Sequence, residues 1–312
     1  MTSNWTLALY LSAAAGGGTP PATWQPSSGH VQVPIWPGTP PDGRPTSRAE
    51  NTDGSDVQDV TLPTMTVYSA RGATTHAAVI VFPGGGYRAL AMDIEGTEVC
   101  DWLTAKGITC VLLKYRVPGN EYYPGSGPTE DEDSPGGCRK SGAYPCSPIA
   151  LEDAQRTLGL VRARASEWQV DPHKIGVLGF SAGGHLAVAV STHWVRRVYA
   201  PIDGSDQESC RPDFAVVLYP GHLWRSPFEL NSDIRVTDQT PPQFILQAED
   251  DPVDDVENSL VYYRALKRNR VPAEIHLYAH GGHAFGLRAT KLPITQWPRL
   301  VETWLEGIGI RQ

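Results

Sequence analysis

A β-branched run, Ile175 to Leu178, ends at a glycine, and a helix-like run, Leu186 to Val190, begins a few residues later. Between them lies Gly179-Phe180-Ser181-Ala182-Gly183, a G-x-S-x-G pattern in a strand–turn–helix setting. This stretch constrains the chain more than any other. A serine at such a corner sits on a sharp, strained turn that lifts its hydroxyl clear of the sheet. Chain passing close to positions 179 and 183 would collide with a Cβ, so glycine is expected at both. The helix that starts at the turn aims its free amides and positive dipole end at the serine, which favours a developing anion.

The pattern on either side predicts alternating strands and helices. Thr61–Tyr68 alternates apolar and polar positions, as a half-buried strand does. Continuous apolar runs at His76–Phe82, Ile108–Tyr115, Phe214–Tyr219 and Phe244–Ala248 predict buried strands, and Glu274–Tyr278 a last one. Helical spacing marks Gly96–Lys106, Leu151–Ala165, Leu260–Lys267 and Trp297–Ile308. The order predicts an α/β fold with a mostly parallel sheet and helices on both faces. Residues 1–60 read as an extended arm in which Val31–Trp36 adds an edge strand. Residues 61–312 read as one domain, interrupted by a long insertion at 117–147.

A serine hydroxyl needs a histidine to take its proton and an acid to orient that histidine. In an open α/β sheet these groups lie past the carboxyl ends of strands. Glu249 to Val256 follows one predicted strand, and Ala279-His280-Gly281-Gly282-His283 follows another. His283, in a Gly-Gly turn, is the expected base, and His280 is expected to be structural. Asp251 is the expected acid, with Asp250 as the alternative. Glu249, Asp254 and Asp255 read as solvated loop charges or caps. His185 lies one turn into the helix and is expected to pack under the site. The backbone amides of Ala182, Gly85 and Gly86 are the expected oxyanion donors, the glycines following the strand at 76–82. Tyr87, Tyr122, Tyr123, His222 and Trp224 either shape a sugar or aromatic pocket or serve as packing.

The formal charge of −8 on 312 residues argues against nucleic acid and anionic membrane surfaces as partners. No run of about 18 apolar residues offers a transmembrane helix. The five cysteines show no metal-ligand spacing, so no metal is expected. Cys138 and Cys146 flank a polar loop that a disulfide could close, whereas Cys100 and Cys110 read as small core residues. Leu7–Ala15 resembles the apolar core of an export signal but lacks a charged segment before it. A secreted or periplasmic location is the expectation, with the cytoplasm as the alternative. Nothing in the sequence specifies an oligomeric state.

With these residues in place, the chain resembles the α/β-hydrolases. More closely, it is similar to the bacterial esterase/lipase group that includes acetyl xylan esterases and feruloyl-esterase-like enzymes. The resemblance rests on Phe82–Tyr87, Glu95-Gly96, Leu113–Pro118, Asp153–Arg156, Gly179–His185 and Gly281–Phe285, within residues 76–308. It implies serine-dependent hydrolysis of carboxylic esters without a cofactor, with Ser181 as nucleophile, Asp251 as acid and His283 as base. The acid loop of the wider fold often reads D-x-x-V-P, whereas Asp254 and Asp255 fill the last two places here. That departure leaves the acid assignment open. The expected substrate is a small-molecule or carbohydrate ester with a short acyl group, such as acetyl on plant polysaccharide. Feruloyl or other aryl esters, acyl transfer to an alcohol, and peptide cleavage of the prolyl-oligopeptidase type are the alternatives. A hydrolase-like binding module is a further one.

Overall fold

The computed structural model describes residues 23–43, 48–52, 55–117 and 148–311. Leu7–Ala15, Tyr122, Tyr123 and the Cys138–Cys146 loop lie outside the described residues. The described chain is built on an eight-stranded sheet. Its strands are β1 (Gln32–Pro34), β2 (Thr64–Tyr68), β3 (Ala78–Phe82), β4 (Thr109–Lys114), β5 (Ile175–Phe180), β6 (Ala215–Leu218), β7 (Gln243–Ala248) and β8 (Ala273–Tyr278). They lie in the order β1-β2-β4-β3-β5-β6-β7-β8. The β1/β2 and β2/β4 pairs are antiparallel, and every other pair is parallel. The fold is that of an α/β-hydrolase.

Strands β3 to β7 are buried along their whole length. Their near-continuous apolar sequences are what a parallel sheet covered on both faces requires. The covering helices are α1 (Glu98–Ala105), α2 (Pro148–Ala163), α3 (Ala182–Thr192), α4 (Glu257–Arg268) and α5 (Trp297–Gly307). Helix α3 is buried all round, which explains why its residues are small and apolar. Helices α1 and α5 meet through Trp102 and Trp297, whose ring centroids are 5.2 Å apart. Two small additions escaped the sequence pattern: a three-stranded sheet of Asn51–Thr52, Asp56–Gln58 and Ala89–Ala91, and a hairpin of Trp224–Arg225 with Glu229–Leu230. Strands of two or three residues are too short for a period to show.

The arm before β2 is fixed by buried charge. Arg116, just past β4, faces Asp153 on α2 with its Nη2 2.8 Å from Oδ1, and both side chains are sealed from solvent. Trp36 Nε1 donates to the same Asp153 oxygen at 2.8 Å, and Arg116 Nη1 donates to the Pro41 carbonyl at 2.6 Å. Arg156 Nε donates to the Ile35 carbonyl at 2.9 Å. Burial pushes the Asp153 carboxyl upward, and Arg116 opposes that shift. Through these contacts Arg116, Asp153 and Arg156 act structurally, joining the Ile35–Pro41 stretch to a strand end and a helix.

One expectation about the cysteines is corrected. Cys100 on α1 and Cys110 on β4 are joined by a disulfide, with Cα atoms 5.2 Å apart. Both lie in apolar surroundings, as expected, but the helix packs on the strand and brings the two sulfurs face to face. Cys210 is a buried free thiol.

Candidate active site

Ser181 stands between β5 and α3 with φ 51° and ψ −120°. That is a positive-φ backbone that a non-glycine residue adopts only when its surroundings enforce it. Its amide donates to the Leu218 carbonyl at 3.0 Å, which ties the corner to the neighbouring strand end. A Cβ at Gly179 would run into the Gly183 carbonyl, and one at Gly183 into the Phe82 carbonyl. The two glycines let the entering strand, the leaving helix and the β3 loop close around the serine.

Three loops converge there from the carboxyl ends of β5, β7 and β8. His283 Nε2 is 3.0 Å from Ser181 Oγ, and His283 Nδ1 is 2.7 Å from Asp251 Oδ2. An ionised carboxylate only accepts, so Nδ1 carries the proton and Nε2 is left to accept from the serine. The Asp251 side chain is sealed from solvent, and its Oδ1 accepts from the amides of Val253 at 2.9 Å and Asp254 at 3.0 Å. The carboxylate is therefore held from both ends. Burial opposes charge on His283, but Asp251, Asp254 and Glu95 more than offset it, and the imidazole pKa lies above the ordinary value. The Tyr219 ring packs edge-on against the imidazole, with centroids 4.9 Å apart.

Asp250, the alternative acid, faces elsewhere. Its Oδ1 accepts from the amides of Gly281 and Gly282, both at 2.8 Å, and its Oδ2 lies 3.2 Å from Nδ1 of the exposed His280. The loop at 83–86 comes up beside Ser181. The Gly84 amide is taken by Glu95 Oε2 at 2.6 Å, and Tyr219 Oη donates to the other Glu95 oxygen at 2.8 Å. Gly85 and Gly86 follow with φ of 129° and 62°, conformations that suit glycine. Ala182 is the first residue of α3, where helix amides have no intrahelical partner.

His185 is wholly buried one turn into α3, with Nδ1 2.6 Å from Tyr87 Oη. Burial, and then the charges of His222, Arg225 and His193, hold its pKa well below the usual range, so it stays neutral. Tyr87 and His222 pack in the same cluster, their ring centroids 6.1 Å apart. Burial, with Arg225, pulls His222 down to about 4. Trp224 is half-buried, and its amide donates to Asn258 Oδ1 at 2.9 Å.

Comparisons with known proteins agree with this architecture. A family model described as BD-FAE matches residues 141–215, a segment that contains Ser181 but neither Asp251 nor His283. The crystal structure of an acetyl ester-xyloside bifunctional hydrolase from Caldicellulosiruptor lactoaceticus is 31% identical, with a TM-score of 0.68. The match covers 90% of this chain and 97% of that one. This chain belongs to the α/β-hydrolases, in the esterase group that resembles acetyl xylan esterases. An acetylxylan esterase of Xylanibacter ruminicola is 28% identical over 258 residues, 74% of this chain and 45% of that protein. Endo-1,4-beta-xylanase B of Butyrivibrio fibrisolvens is 26% identical over 246 residues, 71% of this chain and 34% of that protein. The chain thus spans less than half the length of these two curated relatives.

Two residues of this α/β-hydrolase site were given no role by the sequence. Glu95 lies 2% exposed beneath the glycine loop and holds it through the Gly84 amide. Its only sequence signal was membership of the Glu95-Gly96 motif. Asp254, read as a solvated charge or a cap, is neither. Its Oδ2 lies 3.3 Å from Ser181 Oγ and 3.8 Å from His283 Nε2, and its side chain is 16% exposed. Burial, with the charge of Asp251, raises its carboxyl to about 6. The loop folds back after Pro252 and turns this side chain inward. Among the described residues, no group of three or more His, Cys, Asp and Glu side chains is disposed to hold a metal ion. No helix among them is long and apolar enough to cross a membrane.

Proposed function

We propose that the chain is a serine carboxylesterase that hydrolyses short-chain acyl esters, acetyl in particular, carried on plant polysaccharide. The observation that carries the reading is the unbroken line from Asp251 to His283 at 2.7 Å and from His283 to Ser181 at 3.0 Å. Ser181 Oγ attacks the ester carbonyl while His283 Nε2 takes its proton. The amides of Gly85, Gly86 and Ala182 receive the oxyanion. His283 then protonates the departing alcohol, and water, activated by the same imidazole, releases the acid and restores the serine. Asp251 keeps the imidazole in the required tautomer. The acetyl and xylan part of the reading draws on the similarity to an acetylxylan esterase and to an acetyl ester-xyloside hydrolase.

Labelling with a fluorophosphonate, followed by peptide mapping, tests the reading. Label on Ser181 is expected, together with a loss of at least about a thousandfold in kcat in Ser181→Ala. Ester hydrolysis close to wild type in Ser181→Ala would end the proposal. A panel of acetylated xylan, feruloyl esters and short aryl esters assigns the acyl group. We also infer export, because a disulfide such as Cys100–Cys110 persists in oxidising compartments. Recovery of the protein with both thiols free from its native compartment would contradict that.

A further inference from the structure

Ser181 has one proton and two acceptors for it. His283 Nε2 lies at 3.0 Å and Asp254 Oδ2 at 3.3 Å, and the two acceptors are 3.8 Å apart. A proton shared with Asp254 is a proton withheld from the base. The Asp254 carboxylate is fixed in that position. Its amide is held by Asp251 Oδ1 at 3.0 Å and its carbonyl by Gln247 Nε2 at 2.7 Å. Its Oδ1 rests on Gly221, where a Cβ would run into the carboxylate. Among the described residues, His283 is the one basic side chain within 4 Å of it. Asp251 already holds the other ring nitrogen of His283, so a second carboxylate this close to the Ser181 hydroxyl calls for a cause.

The geometry of ester cleavage supplies one. The departing alcohol oxygen must come within about 2.6–3.2 Å of His283 Nε2 to receive its proton. The leaving group therefore lies beside Asp254 Oδ2. A carboxylate there repels negative charge and has nothing to offer an alkyl group, but it accepts a strong hydrogen bond from a hydroxyl. On a sugar or any other polyol, a hydroxyl next to the ester sits on the carbon adjacent to the one that bears the departing oxygen. We propose that Asp254 is a specificity residue that accepts a hydrogen bond from the hydroxyl neighbouring the ester on the departing alcohol. The substrates selected are monoesters of vicinal diols, as in partly acetylated sugars. Once that hydroxyl donates to Asp254, the Ser181 proton is left to His283. The inference rests on the esterase reading above and names its leaving group.

The test compares trans-2-acetoxycyclohexanol, which has the free neighbouring hydroxyl, with trans-2-methoxycyclohexyl acetate, which keeps the oxygen but cannot donate. The wild type is expected to favour the first in kcat/KM by about tenfold or more, the value of a hydrogen bond to a charged group. Asp254→Val is expected to reduce that ratio to within about threefold of unity, with Asp254→Asn, which keeps an acceptor, in between. Ratios within one variant cancel any general loss of activity, and fluorophosphonate labelling of Ser181 reports that each variant is folded. Equal rates on the two esters in the wild type, or a preference as large as the wild type's in folded Asp254→Val or Asp254→Asn, overturns the proposal. If Asp254→Val does not fold, the wild-type pair and Asp254→Asn decide. If neither ester is cleaved and Ser181 is not labelled, the esterase reading itself falls and takes this one with it.

Discussion

Asp250 and Asp251, adjacent in the chain, hold the turn after β8 by opposite means. Asp250 takes the Gly281 and Gly282 amides at 2.8 Å each, whereas Asp251 takes the His283 imidazole at 2.7 Å. One carboxylate thus fixes the backbone of the turn and the other the imidazole that the turn carries. Asp251→Asn presents an amide to Nδ1 and favours the wrong tautomer. A fall in kcat of roughly a thousand to ten thousandfold is expected, as for the same change in other serine–histidine systems. Asp250→Asn leaves the contact to Nδ1 of His283 intact and should lose far less. Steady-state kinetics on p-nitrophenyl acetate separate the two, and the reverse ranking would move the acid to Asp250.

The proposed base carries a consequence for pH. In that role His283 acts only when neutral, and its pKa is raised because Asp251, Asp254 and Glu95 outweigh the opposing effect of burial. Activity is therefore lost as pH falls through a value above the ordinary 6.5 of histidine, and kcat/KM reports that limb for the free enzyme. Removing the Asp254 charge in Asp254→Asn should move the limb to lower pH. Because Asp254 itself titrates at about 6, the wild-type limb belongs to the pair rather than to one group. A wild-type rate that stays flat down to pH values near the carboxylate range would contradict a histidine base.

The parts of this molecule that the sequence announced share a physical property: their signal is local. Strands β3 to β7 are continuous apolar runs because both faces of the sheet are covered. The Ser181 turn shows itself through glycines at fixed offsets. The convergence of Asp251 and His283 follows from loops at strand ends. What stayed hidden depends on chain crossings. The Cys100–Cys110 bridge needs α1 laid over β4 in one particular register. Glu95 finds Tyr219 across 124 residues. Asp254 looks like any acidic loop residue until the loop folds back onto Gly221 and Ser181. A charge count identifies a run of carboxylates but not which one turns inward.

The disulfide makes a prediction about stability rather than chemistry. It closes a loop with a sequence separation of 10 between a helix and the strand that follows it. The chain-entropy model assigns a bridge of this span about 2–3 kcal/mol. The double variant Cys100→Ala/Cys110→Ala should be less stable by about that amount, read as a lower midpoint of urea unfolding. An unchanged midpoint would mean that the sulfurs are not joined in solution, which free-thiol counting under denaturing conditions would also reveal.

Gly183 tests how tightly the corner is built. A Cβ there would meet the Phe82 carbonyl and, at 2.7 Å, the Pro83 carbonyl. These are backbone atoms at the root of the loop that carries Gly85 and Gly86, so they cannot swing aside as a side chain would. Tyr115 Oη also donates to the Pro83 carbonyl at 2.6 Å and pins it in place. Gly183→Ala therefore has to push the glycine loop away from Ser181. Overpacking of this kind costs about 1–3 kcal/mol, and the displaced amides should lower kcat as well. Gly204→Ala is the control, because nothing lies within 4 Å of the added methyl there, and it should stay within about 0.5 kcal/mol of wild type. Thermal unfolding of the two variants, paired with their ester hydrolysis rates, decides the matter: a Gly183→Ala protein as stable and as active as Gly204→Ala would mean that the loop does not need the close approach on which the oxyanion assignment depends.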